Sequence, residues 1–318
     1  FSLDTCRKKA YFFAAASIEA GASILGRYNS TEEDLYYTRL SLLRNFPSTF
    51  FSGGMVYNAE SKKKVWQSDV YSAQSGDSNY QKYDWYATVD RGDKTLYIQI
   101  EDNKKGYENR IFKSKALWEK VVYFDSFEGV RREKSKAIAG FIYKDKNGNT
   151  NEEDGANYRG SGLIQITGRG IFAVVQEIIK NIVDKSVTQD IMTKEGAELV
   201  RSNLEIGTLS GMGYFSFKKL NAIINELPRN GESDTNAEAL EIWTAIGNNT
   251  SDNSYTKKTK SYTDKASSAF FVPECTAHKS ITPNAVSDVK IITYEINYQS
   301  VGSISKMVNG VDKKLPLY

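Results

Sequence analysis

Residues 157–169 read NYRGSGLIQITGR, and three glycines stand within nine positions of this stretch: Gly160, Gly162 and Gly168. An apolar run over 163–166 is interrupted by one amide, Gln165. A dinucleotide-binding fingerprint needs a third glycine where Gln165 stands, and a phosphate-binding loop needs a terminal Gly-Lys-Ser/Thr. The stretch meets neither requirement, which leaves a glycine turn leading into a short buried strand or helix.

Length and composition bound the class of protein. The chain has 318 residues, enough for one large domain or two ordinary ones. Its 40% hydrophobic and 25% charged residues are typical of a globular protein, and its net charge of +3 is too weak to indicate a nucleic-acid partner. No apolar run approaches the ~20 residues of a membrane span. No signal peptide is visible, and we interpret the start at Phe1 as processed or trimmed.

Cysteine and histidine are scarce. The chain has two cysteines and one histidine, whereas a zinc site of the Cys/His type needs about four ligands. Cys275 and His278 could form a nucleophilic pair, but a Cys6–Cys275 disulfide is favoured if the protein works outside the cytosol. We therefore expect no metal and no cofactor, so that any hydrolytic chemistry must fall to carboxylates.

The polar segment 144–157 has part of the pattern of a calcium-binding loop. Asp145, Asn147 and Asn149 have the i, i+2, i+4 spacing of such a loop. The glycine required at its sixth position and the glutamate required at its twelfth are both missing. A solvated loop is the favoured interpretation.

Hydrophobic periodicity predicts a helix over about 4–25, with Asp4 as its N-cap and Glu19 among apolar neighbours. A second helix is predicted over 31–51, with Glu32 and Glu33 in its first turn, where the helix dipole favours carboxylates. Alternation and turn signals predict β-hairpins over about 54–125. Further helices are predicted at these ranges: 115–122, 131–142, 171–182, 194–203, 206–220 and 236–245.

Together these motifs resemble glycoside hydrolase family 19, the chitinases and related phage endolysins and bacterial cell-wall hydrolases. The longest match is residues 158–169, YRGSGLIQITGR, which is similar to the family pattern Y-[RK]-G-R-G-x-I-Q-[LI]-T-G-R. Residues 12–21, FFAAASIEAG, resemble the helix that carries the family's H-E-[ST]-G signature, with Ile18 in place of the histidine. Residues 32–38, EEDLYYT, resemble the E-E-N-L-N-Y-S segment that supplies a second carboxylate. Weaker likenesses lie at 209–221 and at 243–249.

The resemblance implies roles for individual residues. Glycoside hydrolysis needs two carboxylic groups that flank the scissile bond. Burial on an apolar helix disfavours the charged form of a carboxyl, which suits Glu19 as the general acid. Either Glu32 or Glu33 suits a base, and the resemblance favours Glu33 with an inverting mechanism. The substrate-binding residues that it implies are Glu32, Tyr158, Gln165, Thr167, Arg169 and Asn248. Gln165 and Thr167 would face the cleft from an extended run, while Ile164 and Ile166 face the core.

The implied fold is α+β and mainly α, a two-lobed lysozyme-like helical domain with a β-rich insertion and a small β-rich C-terminal extension. We expect the catalytic domain to comprise 1–53 and 131–268, the insertion 54–130 and the extension 269–318. The structural alternative for Glu19 is a buried carboxylate satisfied by Arg39 or Arg169.

Three functions remain open from the sequence. The first is a peptidoglycan-cleaving lysozyme or endolysin that acts at the bacterial cell wall, in the periplasm or outside the cell. The second is a chitinase, and the third is a non-catalytic cell-wall sugar-binding protein, which Ile18 supports. The absence of a cysteine-rich chitin-binding cluster and the mildly basic charge favour the cell wall as substrate. The insertion and the extension suggest a delivery or docking role, with a delivery or immunity protein as a partner.

Overall fold

The computed structural model describes residues 1, 3, 5–20, 31–59, 63–101, 108–183, 189–224, 235–246, 261–266, 303–308 and 311–316. The chain divides into two compact units, Phe1–Pro273 and Glu274–Tyr318, each described by itself. The architecture is α+β and mainly α, as predicted. Within the described ranges, none of the helices has the length and apolar character needed to cross a membrane. The two-lobed lysozyme-like arrangement and the domain boundaries stay predictions.

The helices are α1 (Cys6–Glu19), α2 (Arg39–Asn45), α3 (Pro47–Phe50), α4 (Lys115–Asp125), α5 (Arg131–Tyr143), α6 (Glu152–Asn157), α7 (Arg169–Ile182), α8 (Lys194–Ser202), α9 (Leu204–Phe217), α10 (Leu220–Ile223) and α11 (Thr235–Ile246). The strands are β1 (Gly53–Asn58), β2 (Lys63–Ser68), β3 (Asp77–Lys82), β4 (Tyr86–Arg91), β5 (Lys94–Gln99), β6 (Arg110–Ile111), β7 (Ser303–Val308) and β8 (Val311–Pro316).

Helix α1 is mostly buried, and its bounds differ from the predicted ones. Its N-cap is Thr5, whose hydroxyl accepts a hydrogen bond from Lys8 N at 3.2 Å. Asp4, the predicted cap, lies outside the described residues. The helix ends at Glu19 instead of continuing to residue 25, and Ala20 N donates to Ala16 O. Glu19 therefore occupies the last helical position.

The prediction of a helix from residue 31 is wrong. Residues 31–38 are not helical, and α2 begins only at Arg39, after Thr38 as its N-cap. Bonds to distant parts of the chain hold the backbone of this segment: Glu33 N donates to Gly160 O at 2.8 Å and Leu35 N to Ser135 Oγ at 2.7 Å. The dipole argument for the two glutamates therefore does not apply, because no helix N-terminus lies there.

Small residues on α9 bring the helical core together. A Cβ on Gly211 would lie 3.1 Å from the Ile164 side chain and 3.3 Å from the Phe12 ring. A Cβ on Gly213 would lie 3.0 Å from the Val175 side chain on α7. The Phe12 side chain on α1 and the Ile164 side chain therefore pack directly on the backbone of α9. This packing brings α1 and the glycine-rich segment onto the same helix.

The strands predicted over 54–125 are confirmed. Strands β3, β4, β5 and β6 form an antiparallel sheet in that order, and β1 pairs with β2 as a separate antiparallel hairpin. In β4 and β5 one face is buried, through Val89, Leu96 and Ile98. A second core cluster joins α2–α5 to Trp85 and Phe112.

Helix α6, at Glu152–Asn157, lies in the segment that the sequence indicated as loop. Asn151 caps it by accepting from Asp154 N at 2.8 Å, and acidic residues in its first turn suit the helix dipole. In the C-terminal unit, β7 and β8 form an antiparallel hairpin. Cys275 and His278 lie outside the described residues.

Candidate active site

The run at 163–166 forms a turn, so the extended interpretation is wrong. Ser161 and Ile166 exchange backbone hydrogen bonds of 3.2 and 2.9 Å, and the residues between them reverse the chain. Gln165 has a positive φ of 51°, within the left-handed region. Ile164 and Ile166 are nevertheless buried while Gln165 is half-exposed, as expected.

Glycine is required at the three positions for two different reasons. Gly162 and Gly168 have φ values of 75° and 98°, which other residues adopt only with strain. Gly160 serves close approach instead: a Cβ there would lie 2.9 Å from Gln165 Oε1, 2.9 Å from Glu33 Cβ and 3.0 Å from Glu33 Oε2. The missing side chain lets Gln165 and Glu33 converge on the same point of the backbone.

A pocket of about 300 Å³ lies beside this turn. Its polar lining comes from Glu19, Asn147, Gln165, Thr167, Tyr214 and Lys218. Its apolar lining comes from Ile164, Ile166, Ile171 and Ile246. Three of the predicted site residues, Glu19, Gln165 and Thr167, thus share one pocket, although they are far apart in the sequence.

Glu19 lines the pocket from the end of α1. It is half-buried at the C-terminal end of α1, where the helix dipole is negative, and it faces a pocket lined by isoleucines. Burial, followed by the charge of Glu19, raises the pKa of Tyr214. The two arginines considered as structural partners bind elsewhere, since Arg39 pairs with Asp125 at 2.6 Å and Arg169 with Asp154 at 3.2 Å.

Glu33 is held at two points. Tyr143 donates its hydroxyl hydrogen to Glu33 Oε1 at 2.8 Å, and Gly160 N donates to Oε2 at 3.2 Å. Burial raises the pKa of Glu33 above 4.5, while these hydrogen bonds and the charge of Arg159 oppose the rise. Burial and the neighbouring carboxylate also raise the pKa of Tyr143, so its hydroxyl stays a donor.

Gln165 shares the pocket with Glu19 and lies close to Glu33. Its side-chain nitrogen donates to Thr31 O at 2.7 Å and to Gly162 O at 2.9 Å. Those bonds fix the amide, so its oxygen lies on the side of Gly160 and Glu33. The same side chain lines the pocket that contains Glu19.

Three arginine side chains surround the Glu32 carboxyl group. One of its oxygens lies 2.6 Å from Arg159 Nη2 and 3.9 Å from Arg201 Nε, and the other lies 3.1 Å from Arg132 Nε. Arg159 and Arg201 are each 2% exposed. Burial lowers the pKa of Arg201 to about 10, and the charge of Arg159 adds to that effect. Three guanidinium groups therefore contact the Glu32 carboxyl group, which leaves it neither a free base nor a sugar ligand.

The remaining predicted site residues do not join the pocket. Tyr158 is buried, packs edge-on against Phe172 and donates to Met192 O at 2.6 Å, so its ring presents no exposed face to a sugar. Arg169 begins α7, and its exposed side chain pairs with Asp154. Asn248 lies outside the described residues.

Ile18 has an apolar role that explains the absence of histidine there. It lines a small pocket with Tyr11, Ile242 and Trp243, separate from the one that contains Glu19. A histidine would place a polar ring against this apolar wall. The residue therefore bears on packing with α11, and its identity does not argue against chemistry at Glu19.

Tyr143, Asn147 and Lys218 are among the site residues that the sequence did not predict. Tyr143 ends α5 and reaches a residue 110 positions away, so no local pattern could reveal its contact. The sequence spacing indicates Asn147 only as a calcium ligand, but its backbone oxygen accepts from Gly170 N. Lys218 follows the last turn of α9, where a lysine is ordinary.

No cluster of three or more histidine, cysteine, aspartate or glutamate side chains that could hold a metal ion exists in the part of the chain that the structure describes. No protein-family model matches the chain, and a search of curated proteins finds no match.

Proposed function

We propose that this chain is a glycoside hydrolase of the lysozyme or endolysin type, which hydrolyses β-1,4 bonds between the amino sugars of peptidoglycan. The observation that carries the proposal is the pocket that Glu19, Gln165 and Thr167 share, with the Glu33 carboxylate adjoining Gln165. Glu19 acts as the general acid and Glu33 as the general base.

The environment of Glu19 suits proton donation. A general acid must hold its proton at the working pH and release it to the leaving oxygen. Glu19 lies at the C-terminal end of α1, in a pocket whose apolar walls are isoleucine side chains. A half-buried position still leaves it accessible to a substrate.

The environment of Glu33 suits a base. Its raised pKa makes the carboxylate a stronger proton acceptor, while Tyr143 and Gly160 keep it oriented and favour the ionised form. In an inverting mechanism it activates a water that attacks from the face opposite the leaving group. The carboxyl groups of such a pair lie about 6.5–9.5 Å apart to leave room for that water. The amide oxygen of Gln165, which lies near Gly160 and Glu33, would accept a hydrogen bond from that water.

The test is digestion of purified peptidoglycan, with mass spectrometry of the soluble fragments. We expect wild type to release muropeptides and Glu19→Gln to lose at least about a hundredfold in rate, the usual size of a general-acid contribution. Glu33→Gln should lose a similar factor. Glu177→Gln, an exposed glutamate on α7 that pairs with Lys180, is the matched control and should retain full activity.

Two further readouts separate the related functions. The sugar at the new reducing end distinguishes a muramidase from a glucosaminidase. Cleavage of chitin oligomers but not of peptidoglycan would indicate a chitinase. If wild type cleaves neither polymer but binds one of them, the protein is a sugar-binding protein and the proposal is wrong.

A further inference from the structure

The pocket that contains Glu19 also contains a cation. Lys218 is half-buried at the C-cap of α9 and lines the pocket. Its ammonium lies 5.7 Å from the centroid of the Tyr214 ring and 5.8 Å from that of Phe217. The two rings hold the charge beside the pocket by cation–π contact.

Within the described residues, this ammonium has no carboxylate partner. The cations elsewhere around the site are neutralised: Arg169 pairs with Asp154, and Arg132 pairs with Glu32 and Glu198. A lysine after the last turn of a helix complements the helix dipole, which is sufficient reason for its charge. That reason does not require the side chain to line a pocket.

The charge of the pocket depends on Glu19. When Glu19 carries the proton that a general acid needs, Lys218 is the one charged group among the described residues that line the pocket. A half-desolvated cation attracts an anionic group more strongly than a neutral one. The neutral lining groups, the amides of Asn147 and Gln165 and the hydroxyl of Thr167, suit the hydroxyl and N-acetyl groups of a sugar.

We propose that Lys218 binds a carboxylate of the substrate, so that this pocket is a subsite for an acidic amino sugar in preference to a neutral one. The inference rests on the proposed function and narrows its substrate class. In peptidoglycan such a carboxylate can belong to the lactyl ether of the sugar or to its peptide substituent. In a chitin-like polymer no carboxylate is present.

The experiment measures binding, because binding does not depend on turnover. Isothermal titration uses the full chain with Glu19→Gln, alone and combined with Lys218→Gln, Lys218→Arg or Lys219→Gln. The probes are a tetrasaccharide of alternating N-acetylglucosamine and N-acetylmuramic acid with free lactyl carboxylates, its carboxamide, its peptide-bearing form and chitotetraose. Lys219 is exposed, adjacent in sequence and not part of the pocket lining, so it controls for the loss of one positive charge.

We expect a carboxylate-bearing probe to bind about tenfold more tightly than the carboxamide or chitotetraose, as one charge-assisted hydrogen bond provides. Lys218→Gln should abolish that preference, whereas Lys218→Arg and Lys219→Gln should keep it. A preference for the free lactyl form identifies the lactyl carboxylate as the ligand. A preference for the peptide-bearing form alone identifies the peptide.

Two outcomes overturn the inference: equal affinity for the charged and neutral probes, or a preference that survives Lys218→Gln. These differ from failure of the proposed function. If wild type cleaves peptidoglycan without charge preference, the hydrolase stands and the role of Lys218 is wrong. If the charge preference exists but no glycan is cleaved, Lys218 binds the carboxylate in a non-catalytic sugar-binding protein.

Discussion

Replacement of Gly160 by alanine tests whether close approach at this backbone position builds the site. The new Cβ would lie 2.9 Å from Gln165 Oε1, 2.9 Å from Glu33 Cβ and 3.0 Å from Glu33 Oε2. All three distances are shorter than an ordinary carbon contact of about 3.5–4.0 Å. At least one of the two side chains must move, and both belong to the proposed machinery.

The size of the effect follows from these contacts. Overpacking of a well-packed region costs about 1–3 kcal/mol. If Glu33 moves away, it also loses the hydrogen bond from Gly160 N, and a bond to a charged group contributes about 1.5–3 kcal/mol. Since 1 kcal/mol shifts Tm by about 2–4 °C in a protein of 150–250 residues, we expect a fall of a few degrees in this larger chain. A displacement of the base by about 1 Å can reduce the rate of cleavage by about a hundredfold.

The assay pairs thermal unfolding with the rate of peptidoglycan cleavage. Gly54→Ala is the matched control, because a Cβ on Gly54 in β1 meets no atom within 4 Å and φ there is not positive. That variant should match wild type in both measurements. A Gly160→Ala protein with wild-type Tm and wild-type rate would refute the close-approach explanation.

Three further predictions concern the charges of the site. Tyr143→Phe removes a hydroxyl donor that lowers the pKa of Glu33, so the acidic limb of the pH profile of kcat/KM should move to higher pH. An acidic limb that stays in place or moves to lower pH would show that Tyr143 does not hold the base. Glu33→Gln should raise the free energy of unfolding at pH 7. Because the folded pKa of Glu33 exceeds 4.5, wild type loses stability as pH rises above 4.5, so the variant should be more stable at pH 7 and equally stable below pH 4.5. Denaturant unfolding at pH 7 and at pH 4 measures the two free energies. A variant that is less stable than wild type at pH 7 contradicts the burial argument. Arg159→Met should lower the free energy of unfolding by about 3 kcal/mol, the lower end of the cost of breaking a buried ion pair, because Arg132 still contacts Glu32. An unchanged free energy of unfolding in urea would contradict the structural role given to Glu32.

Local patterns predicted the elements whose stability is local. Helices α4, α5 and α8 begin at the residues that the periodicity indicated: Lys115, Arg131 and Lys194. Strand β5, at Lys94–Gln99, lies within the range over which alternation predicted β-hairpins. In each case the side-chain pattern and the burial agree, so no distant contact had to override the local preference.

The failures occur where distant backbone contacts decide. Residues 31–38 have a helical composition, but Gly160 and Ser135 bind the backbone groups that a helix would use. The run at 163–166 has the composition of a strand, but Gly162 and the left-handed Gln165 turn it back on itself. Sequence spacing alone cannot reveal either contact.

The structure brings some of the predicted site residues together and separates others. Glu19, Gln165 and Thr167 share a pocket, and their roles there stay predictions. Tyr158 belongs to the core, and Glu32 belongs to a cluster of arginines. Ser161 stands where the family pattern has arginine. Its buried hydroxyl accepts a hydrogen bond from Arg201 Nη1 at 2.9 Å, so a guanidinium group from α8 occupies the space beside it.

Chemical rescue with azide tests most directly whether Glu19 is the general acid and Glu33 the general base. Azide attacks without help from a general base, so it can replace the activated water when the base is absent. For Glu33→Ala with peptidoglycan, azide should restore a large part of the lost rate and yield a glycosyl azide of inverted configuration, whereas Glu19→Ala should not respond. Rescue of Glu19→Ala, or no response of Glu33→Ala in a folded protein, would contradict the assigned roles.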